Sequence, residues 1–566
     1  MPNKKLIYFS ILISLVSILF SDCVGIVGPK PGIYINEFLT SNNGVVTDPL
    51  KHKEVDWIEL YNSYDFPLNL SGYYLTDNTV DTTKWKFPAG TIIDANSYLI
   101  VWADGQDTLL HTNFKLSRSG EQIALYSKNK ELLDQLDFNG QELNISYGRK
   151  WDGIDRWLYY DEPSPNFTNN KQKGIRKINY SKKPNFSIGA GFYYISATVS
   201  LSSPTNDTEI RYTINGNVPT RKSKLYSEPL QIDTTTVLRA ISIEKDKLIS
   251  RPETRTYFIN VKKDMPVISL ATDSVALWDT LSGIYENSIK GENRMANVEF
   301  FEDQNQVINQ SLKMSISGNV ARFHGQKAIY LEADEKYGNA TLNHRFFPNK
   351  RIYSFQSILL RAGGHPDKYQ TMFRDGMTQY LTKEHIEFEY IAYRPVVVFI
   401  NGSYWGIYNI REKLRTNYFI DNFNLDESRL DLLENSWAVA NDGDNLHYLK
   451  AREFIKECDK TNPLNYAHVK TLIDVDNYIN YNICEIYASN IDWPNWNIKF
   501  WKKKEEGAIW RWILLDLDYG FGAGTKVDYN MIGYTASPVK TRVTNPPSAT
   551  VLFRKLLEFP EFKNDF

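Results

Sequence analysis

The sequence predicts a multidomain chain in which two β-sandwich modules precede a mixed α+β domain. Three observations predict it. The 566 residues exceed what one core holds, about 250–300 residues, and correspond to about four units at ~150 residues each. Short runs with period-two alternation, separated by Asn, Asp, Gly and Ser, fill the N-terminal part, and apolar spacing of three to four residues begins only after them. Aromatics are abundant, with 36 Tyr, 29 Phe and 13 Trp, and these suit pleated, half-buried surfaces.

Composition excludes several function classes. Lys+Arg is 65 and Asp+Glu is 67, a net charge of −2. That balance argues against a chain that coats nucleic acid or an anionic membrane. With 42% hydrophobic and 23% charged residues, wholesale disorder is out. Three Cys exclude a disulfide scaffold and a Cys-rich zinc module. The eight His show no His-Glu-x-x-His spacing.

Residues 1–23 are expected to be an export signal. Lys4 and Lys5 give a positive start, Leu6 to Phe20 is almost wholly apolar, and small and polar residues lead to Cys23. The apolar run is shorter than the ~20 residues of a spanning helix. Cys23 stands where bacterial lipoproteins carry a lipidated cysteine, although Phe20-Ser21-Asp22 is a poor lipobox. The expected location is therefore periplasmic, cell-surface or secreted, with membrane contact only through the signal or a lipid on Cys23. Cys458 and Cys484 lie on apolar, helix-like segments and read as two buried free thiols; export leaves a disulfide between them open.

Residues 31–167 read as the first sandwich. Ile33–Phe38, Asp56–Tyr61, Tyr98–Trp102 and Gln122–Tyr126 alternate, with Trp57 opposed to Ile58 and Leu60. Ile35-Asn36-Glu37, Asp56-Trp57-Ile58-Glu59-Leu60-Tyr61-Asn62, Leu70 to Asp77, Phe87-Pro88-Ala89-Gly90, Leu116 to Glu121 and Ser146-Tyr147-Gly148-Arg149 resemble a lamin-tail domain. The resemblance implies an immunoglobulin-like accessory module. Glu37, Glu59 and Asp77 are conceivable as a calcium site, with turn and edge hydrogen bonding the favoured reading.

Residues 180–260 read as a second β-module, after a linker rich in Asn and Lys. Tyr194–Leu201, Glu209–Ile214 and Thr236–Ser242 alternate, and Asn215-Gly216 signals a tight turn. Phe192-Tyr193, Ile210 to Gly216, Pro219-Thr220, Ser223 and Leu225-Tyr226 resemble the C-terminal module of chitobiase-type hexosaminidases. That resemblance implies a spacer, with a cell-surface glycan as the alternative partner.

Residues 264–566 carry the candidate chemistry. Met372–Thr382, Leu446–Cys458 and Asn477–Ala488 read as helices, and Tyr393–Asn409 as two strands around Asn401-Gly402. The loop Ser489 to Asn497 places Asp492 and Asn497 at the separation of a kinase base and its metal-binding Asn. Ile498–Trp501 and Ile509–Ile513 read as a hairpin around Glu505-Glu506-Gly507, which brings Asp516 and Asp518 beside that loop. In strand geometry these two Asp point the same way, and with Asn497 they form a set for Mg²⁺ or Mn²⁺.

The segments Ser317-Gly318-Asn319, Arg322, Gln326-Lys327-Ala328, Leu360 to Gly364, Phe373 to Gly376, Tyr404 to Glu412 and Leu514 to Gly522 resemble the spore-coat CotH kinases. The resemblance implies an atypical protein-kinase-like fold that transfers phosphoryl from ATP to a protein hydroxyl. It implies Asp492 as catalytic base, Asn497 with one or both of Asp516 and Asp518 as metal ligands, and Lys327, Arg322 and Glu412 as nucleotide contacts. The plainer roles are a surface lysine for Lys327 and an ion pair with Arg411 or Lys413 for Glu412. Asn490-Ile491 replaces His-Arg before the base, and Ser317-Gly318 replaces the family's Arg-Gly. The resemblance also implies further chain beyond residue 566, so the domain is expected to be cut short. The competing readings are a non-enzymatic surface scaffold with a pseudokinase-like domain and, ranked lower, metal-dependent phosphoester hydrolysis.

Overall fold

In the computed structural model, which describes residues 28–262, 264–363, 367–383, 389–526, 528–538 and 543–566, the alternating runs of the first region form two antiparallel sheets. The expected export signal, Cys23 and Gly364 lie outside the described residues. Trp157–Tyr160, Ser146–Arg149, Ile33–Leu39, Trp57–Asn62 and Tyr98–Trp102 make the larger sheet. Trp85–Lys86, Tyr74–Thr76, Gly120–Tyr126 and Leu132–Asn139 make the smaller. Ile35, Phe38, Ile58 and Leu60 of one sheet share a core with Leu75, Ile123, Leu125 and Phe138 of the other.

The other face of the larger sheet is covered too. Trp57 packs there with Leu39, Ile100 and Trp102 under Val45, Val46 and Val55. Glu37 and Glu59, which lie opposite each other in register, are buried as well, and residues 164–166 bond to both. Glu37 accepts from Ser146 and from Ser164 Oγ (3.0 Å), and Glu59 from Asn36 Nδ2 (3.1 Å) and Asn166 N (2.6 Å). Burial raises both carboxyls. Asp77 instead pairs with Lys84 at 2.6 Å.

The chain divides into two compact units. One runs to Lys182 and includes Ile243–Arg251; the other comprises Lys183–Ser242 and Pro252–Phe566. In the second unit, Gly191–Tyr193, Glu253–Ile259, Thr236–Ile243, Glu209–Thr213 and Lys224–Leu225 form a five-stranded sheet. The expected strand over Tyr194–Leu201 is broken. Tyr193 still pairs with Ile259, but Ala197–Val199 pairs with Leu230–Ile232 in a separate sheet, so the chain crosses between sheets at 194–196 and leaves Tyr194 and Ile195 exposed. Asn215-Gly216 is no two-residue hairpin either, since the next strand begins at Lys224. Gly216 (φ +84°) is required by close approach: a Cβ there would lie 2.0 Å from Asn401 Oδ1.

This module is docked on the following domain. Phe192 and Phe258 pack with Val267, Phe301 and Phe399. Thr256 N donates to Glu299 Oε1 at 3.0 Å, and Gln306 Nε2 donates to the same oxygen at 2.6 Å. Glu299 is wholly buried, which pushes its carboxyl up to about 7.

A closed seven-stranded barrel follows, a feature absent from the sequence reading. Its strands are Val267–Ala271, Asn293–Glu302, Asn305–Ser317, Ala328–Glu332, Ser357–Arg361, Ser403–Arg411 and Tyr393–Ile400, in sheet order. The parallel pairing of Val267–Leu270 with Val397–Ile400 closes it. Leu270, Val298, Phe300, Leu312, Leu331, Leu360, Val398 and Ile410 fill the core. The helix over Met372–Thr382 forms as Arg374–Lys383.

The remaining chain builds a helical part around the sheet Val439–Asp442, Leu430–Glu434, Lys499–Lys503 and Arg511–Ile513. The helices Leu446–Glu457, Pro463–Leu472 and Val475–Tyr487 bury Ile455, Val469 and Ile479 against Phe500, Trp510 and Trp512. Cys484 is buried and Cys458 half-buried, and both are free thiols. Among the described residues no helix is long and apolar enough to cross a membrane.

Candidate active site

A cleft of about 890 Å³ is lined by the barrel on one side and by the helical part on the other. Its acidic loop is set up locally. Asp474 caps the helix Val475–Tyr487 by accepting from Asn477 N at 3.0 Å. Beyond the helix, buried Asn490 accepts from Asp492 N (3.2 Å) and donates to Glu485 Oε2 (2.9 Å). Asn497, at φ +57°, donates to Asp492 Oδ2 at 2.9 Å and to the Asp492 carbonyl at 3.3 Å. Asn tolerates this left-handed backbone because its short polar side chain bonds locally.

The predicted hairpin is present, with Lys499 opposite Ile513 and Phe500 opposite Trp512. Its two ends are therefore adjacent, and Asp492, Asn497, Asp516 and Asp518 all line the cleft. One detail of the expected geometry is corrected. Asp516 and Asp518 are not on a strand: the strand ends at Ile513, Asp516 has φ +56°, and Leu517 N is drawn to Asp375 Oδ1 at 3.2 Å. The carboxylates converge because both accept from the same terminal nitrogen of Arg361, a barrel residue.

Buried Asp375 anchors this arrangement. It accepts from Arg411 and from Gln379 Nε2 (3.0 Å). Although burial opposes its charge, Arg411 and Arg361 hold the Asp375 carboxyl well below the usual range. Asp518 moves the other way. Burial, reinforced by Asp516, raises it against the pull of Arg361. Asp492 is also raised, first by burial and then by Asp516, against the bond from Asn497. Glu485 beneath the loop is raised by burial.

The facing wall is cationic, with Arg322, Lys413 and Arg415 lining the cleft. Lys413 Nζ donates to Ser317 Oγ at 2.5 Å and lies 4.7 Å from the Tyr330 ring centre. Burial, followed by Arg415, Arg322 and Lys499, pushes the Lys413 amine down to about 7. Lys327 is not among the residues lining the cleft. Its ammonium donates to the Arg322 carbonyl and sits 5.3 Å from the Tyr285 ring centre. Glu412 does line the cleft, but its ion-pair partner is Lys350 at 2.6 Å, rather than Arg411 or Lys413. Asn422 Nδ2 (2.7 Å) and Ala392 N (2.9 Å) complete its shell.

The expected Mg²⁺ or Mn²⁺ set of Asn497, Asp516 and Asp518 offers two carboxylates, both already held by Arg361. Among the described residues no group of three or more His, Cys, Asp or Glu side chains is placed to hold a metal ion. The two carboxylates are already bridged by Arg361, and a guanidinium and a divalent cation compete for the same oxygens. The residues as they stand do not fit the metal.

Residues 314–566 match the family model for CotH kinase protein. Residues 27–140 match the Lamin Tail Domain, and residues 188–253 match the Chitobiase/beta-hexosaminidase C-terminal domain. All three resemblances drawn from the sequence are thus shown, in the same order along the chain. No curated protein matches the chain.

Sequence reasoning did not single out four residues of the CotH segment's cleft: Arg361, Asp375, Arg411 and Lys413. Arg361, Asp375 and Arg411 fell inside segments that carried the resemblance, but no local spacing marks an arginine whose partners lie 155 and 157 residues away. Lys413 had a weaker signal still. It follows Glu412 in a run of alternating charge, which reads equally well as a solvated face.

Proposed function

We propose that the CotH segment transfers the γ-phosphoryl of ATP to a hydroxyl of a protein substrate. The observation that carries this reading is a single cleft opposing a cationic wall to an acidic loop. Arg322, Lys413 and Arg415 offset phosphate charge on the barrel side. Asp492 stands opposite as the base, and burial and the neighbouring Asp516 raise its affinity for the proton it would accept. Asn497 holds the carboxylate and Asn490 holds its backbone. In the step, the acceptor oxygen forms a bond to the γ-phosphorus and the bond from that phosphorus to the β–γ bridging oxygen breaks. The hydroxyl proton passes to Asp492 and ADP leaves. Export is part of the proposal and rests on the charge and apolar pattern of residues 1–23.

One observation favours the scaffold reading instead: Arg361 engages both Asp516 and Asp518. Incubation of the full chain with γ-labelled ATP and a panel of secreted proteins separates the two. Protein labelling that falls about 10³-fold in Asp492→Asn supports transfer. Absence of labelling, with no nucleotide-dependent change in thermal unfolding, leaves the scaffold.

A further inference from the structure

The cationic wall is costly as it stands. Arg322, Lys413 and Arg415 share it, and among the described residues none of the three has an ion pair with a carboxylate. The neighbouring charges are already matched: Lys499 pairs with Glu434 at 3.3 Å and Glu332 with Lys313 at 2.6 Å. The Arg322 Nε is buried without a partner. Lys413 and Arg415 both pack on the Tyr330 ring, 4.7 and 5.7 Å from its centre. With Arg322 and Lys413 partly removed from water and Arg415 exposed beside them, the repulsion is relieved either by loss of the Lys413 proton or by an anion of matching charge. A single carboxylate leaves most of that charge unmet, whereas a polyphosphate meets it and suits the forked guanidinium donors.

Lys327 is committed elsewhere. Its ammonium caps the Arg322 carbonyl, its N–H donates to Tyr285 Oη at 3.0 Å, and its carbonyl accepts from Tyr408 Oη at 3.0 Å. These bonds prop the turn Val320–Phe323 that presents Arg322.

We infer that Lys413, flanked by Arg322 and Arg415, is the lysine that anchors a polyphosphate in this cleft, and that Lys327 acts only by positioning the Arg322 turn. The nucleotide identity of the ligand rests on the proposed function; the phosphate chemistry rests on the wall alone. A linked proton follows. The groups that face Lys413 are Arg415, Arg322, Lys499, Glu332 and the Tyr330 ring. With its amine at about 7 in the free protein, an arriving polyanion returns it toward the ordinary lysine range, so binding takes up a proton. Affinity is full below pH 7 and falls, by up to about tenfold per pH unit, as pH rises above it.

The test is titration calorimetry of the full chain with inorganic tripolyphosphate at pH 8, in two buffers of different ionisation enthalpy. The wild type is expected to bind with uptake of most of one proton. Lys413→Met is expected to lose at least tenfold in affinity together with the uptake. Lys413→Arg, which stays charged, is expected to keep affinity but lose the uptake. Lys327→Met is expected to lose less than threefold and keep it. Uptake that survives Lys413→Arg overturns the inference even if the Met variant does not fold. So does a loss in Lys327→Met equal to that in Lys413→Met, or absence of tripolyphosphate binding. Lys413-linked binding of tripolyphosphate without saturable binding of ATP upholds the anchor while refuting the nucleotide reading.

Discussion

Glu299 makes the second unit sensitive to pH in a direction the structure sets. It is wholly buried where the second β-module meets the barrel, bonded to Thr256 and Gln306, with no cation among its bonded partners. Its carboxyl titrates at about 7 in the fold against 4.5 in the open chain. Between these values the folded state binds more protons than the unfolded state, so stability falls as pH rises from about 4.5 through 7. A gap of about 2.5, at about 1.36 kcal/mol for each, amounts to about 3 kcal/mol lost above pH 7. Glu299→Gln removes that loss. Its amide can donate to Thr256 Oγ1, which lies 2.7 Å from Ser269 Oγ and can donate onward. Imperfect replacement of the bonds costs about 1 kcal/mol, so the net gain at pH 8 is about 2 kcal/mol, shrinking to nothing near pH 5. The assay is hydrogen exchange along a guanidinium titration, read at peptides covering Glu253–Ile259 and Asn293–Glu302. A wild type that gains stability relative to the variant between pH 5 and 8, or a difference that ignores pH, refutes the reasoning.

Arg411→Leu strips Asp375 of its bonded guanidinium and is expected to destabilise the second unit by about 3 kcal/mol, measured by chemical unfolding. The double variant with Asp375→Leu should recover much of the loss; no recovery argues against charge as its cause. Gly216→Ala forces a side chain onto Asn401 at a left-handed backbone, at a cost of about 2 kcal/mol. An unchanged unfolding midpoint contradicts the close approach. Arg361→Gln releases Asp516 and Asp518, so Mn²⁺ binding to the nucleotide-free protein, read by electron paramagnetic resonance, should tighten at least tenfold. Equal affinity in both proteins means the arginine does not compete for the pair.

Much of the acidic side of the cleft was legible because its logic is local. Alternation of Lys499–Lys503 and Arg511–Ile513 around a polar turn specifies a hairpin, and a hairpin joins its own ends. The apolar spacing over Asn477–Ala488 specifies the helix that delivers the loop, which forms as Val475–Tyr487 with Asp474 as its cap. The basic side was read less well. Lys327 looked like the phosphate contact because it precedes a strand, yet its backbone is held by Tyr285 and Tyr408, 42 and 81 residues away, and its ammonium bonds the Arg322 carbonyl. In the first unit, the alternation of Trp57 against Ile58 was visible, but burial of the Trp57 face was not, because residues 45–55 supply the cover.

By itself the sequence determined the order of the three modules, the hairpin, the acidic loop and the resemblance of each segment, all carried by residues close together in the chain. Tertiary structure alone decided the barrel closure between Val267 and Val397, the docking of the second module on Phe301 and Phe399, and the capture of Asp516 and Asp518 by Arg361. The physical reason is separation. Pattern and propensity act over a few residues, whereas these contacts join residues more than 40 apart along the chain. They form only because burying a shared apolar surface, or matching a buried charge, offsets the entropy of closing so long a loop.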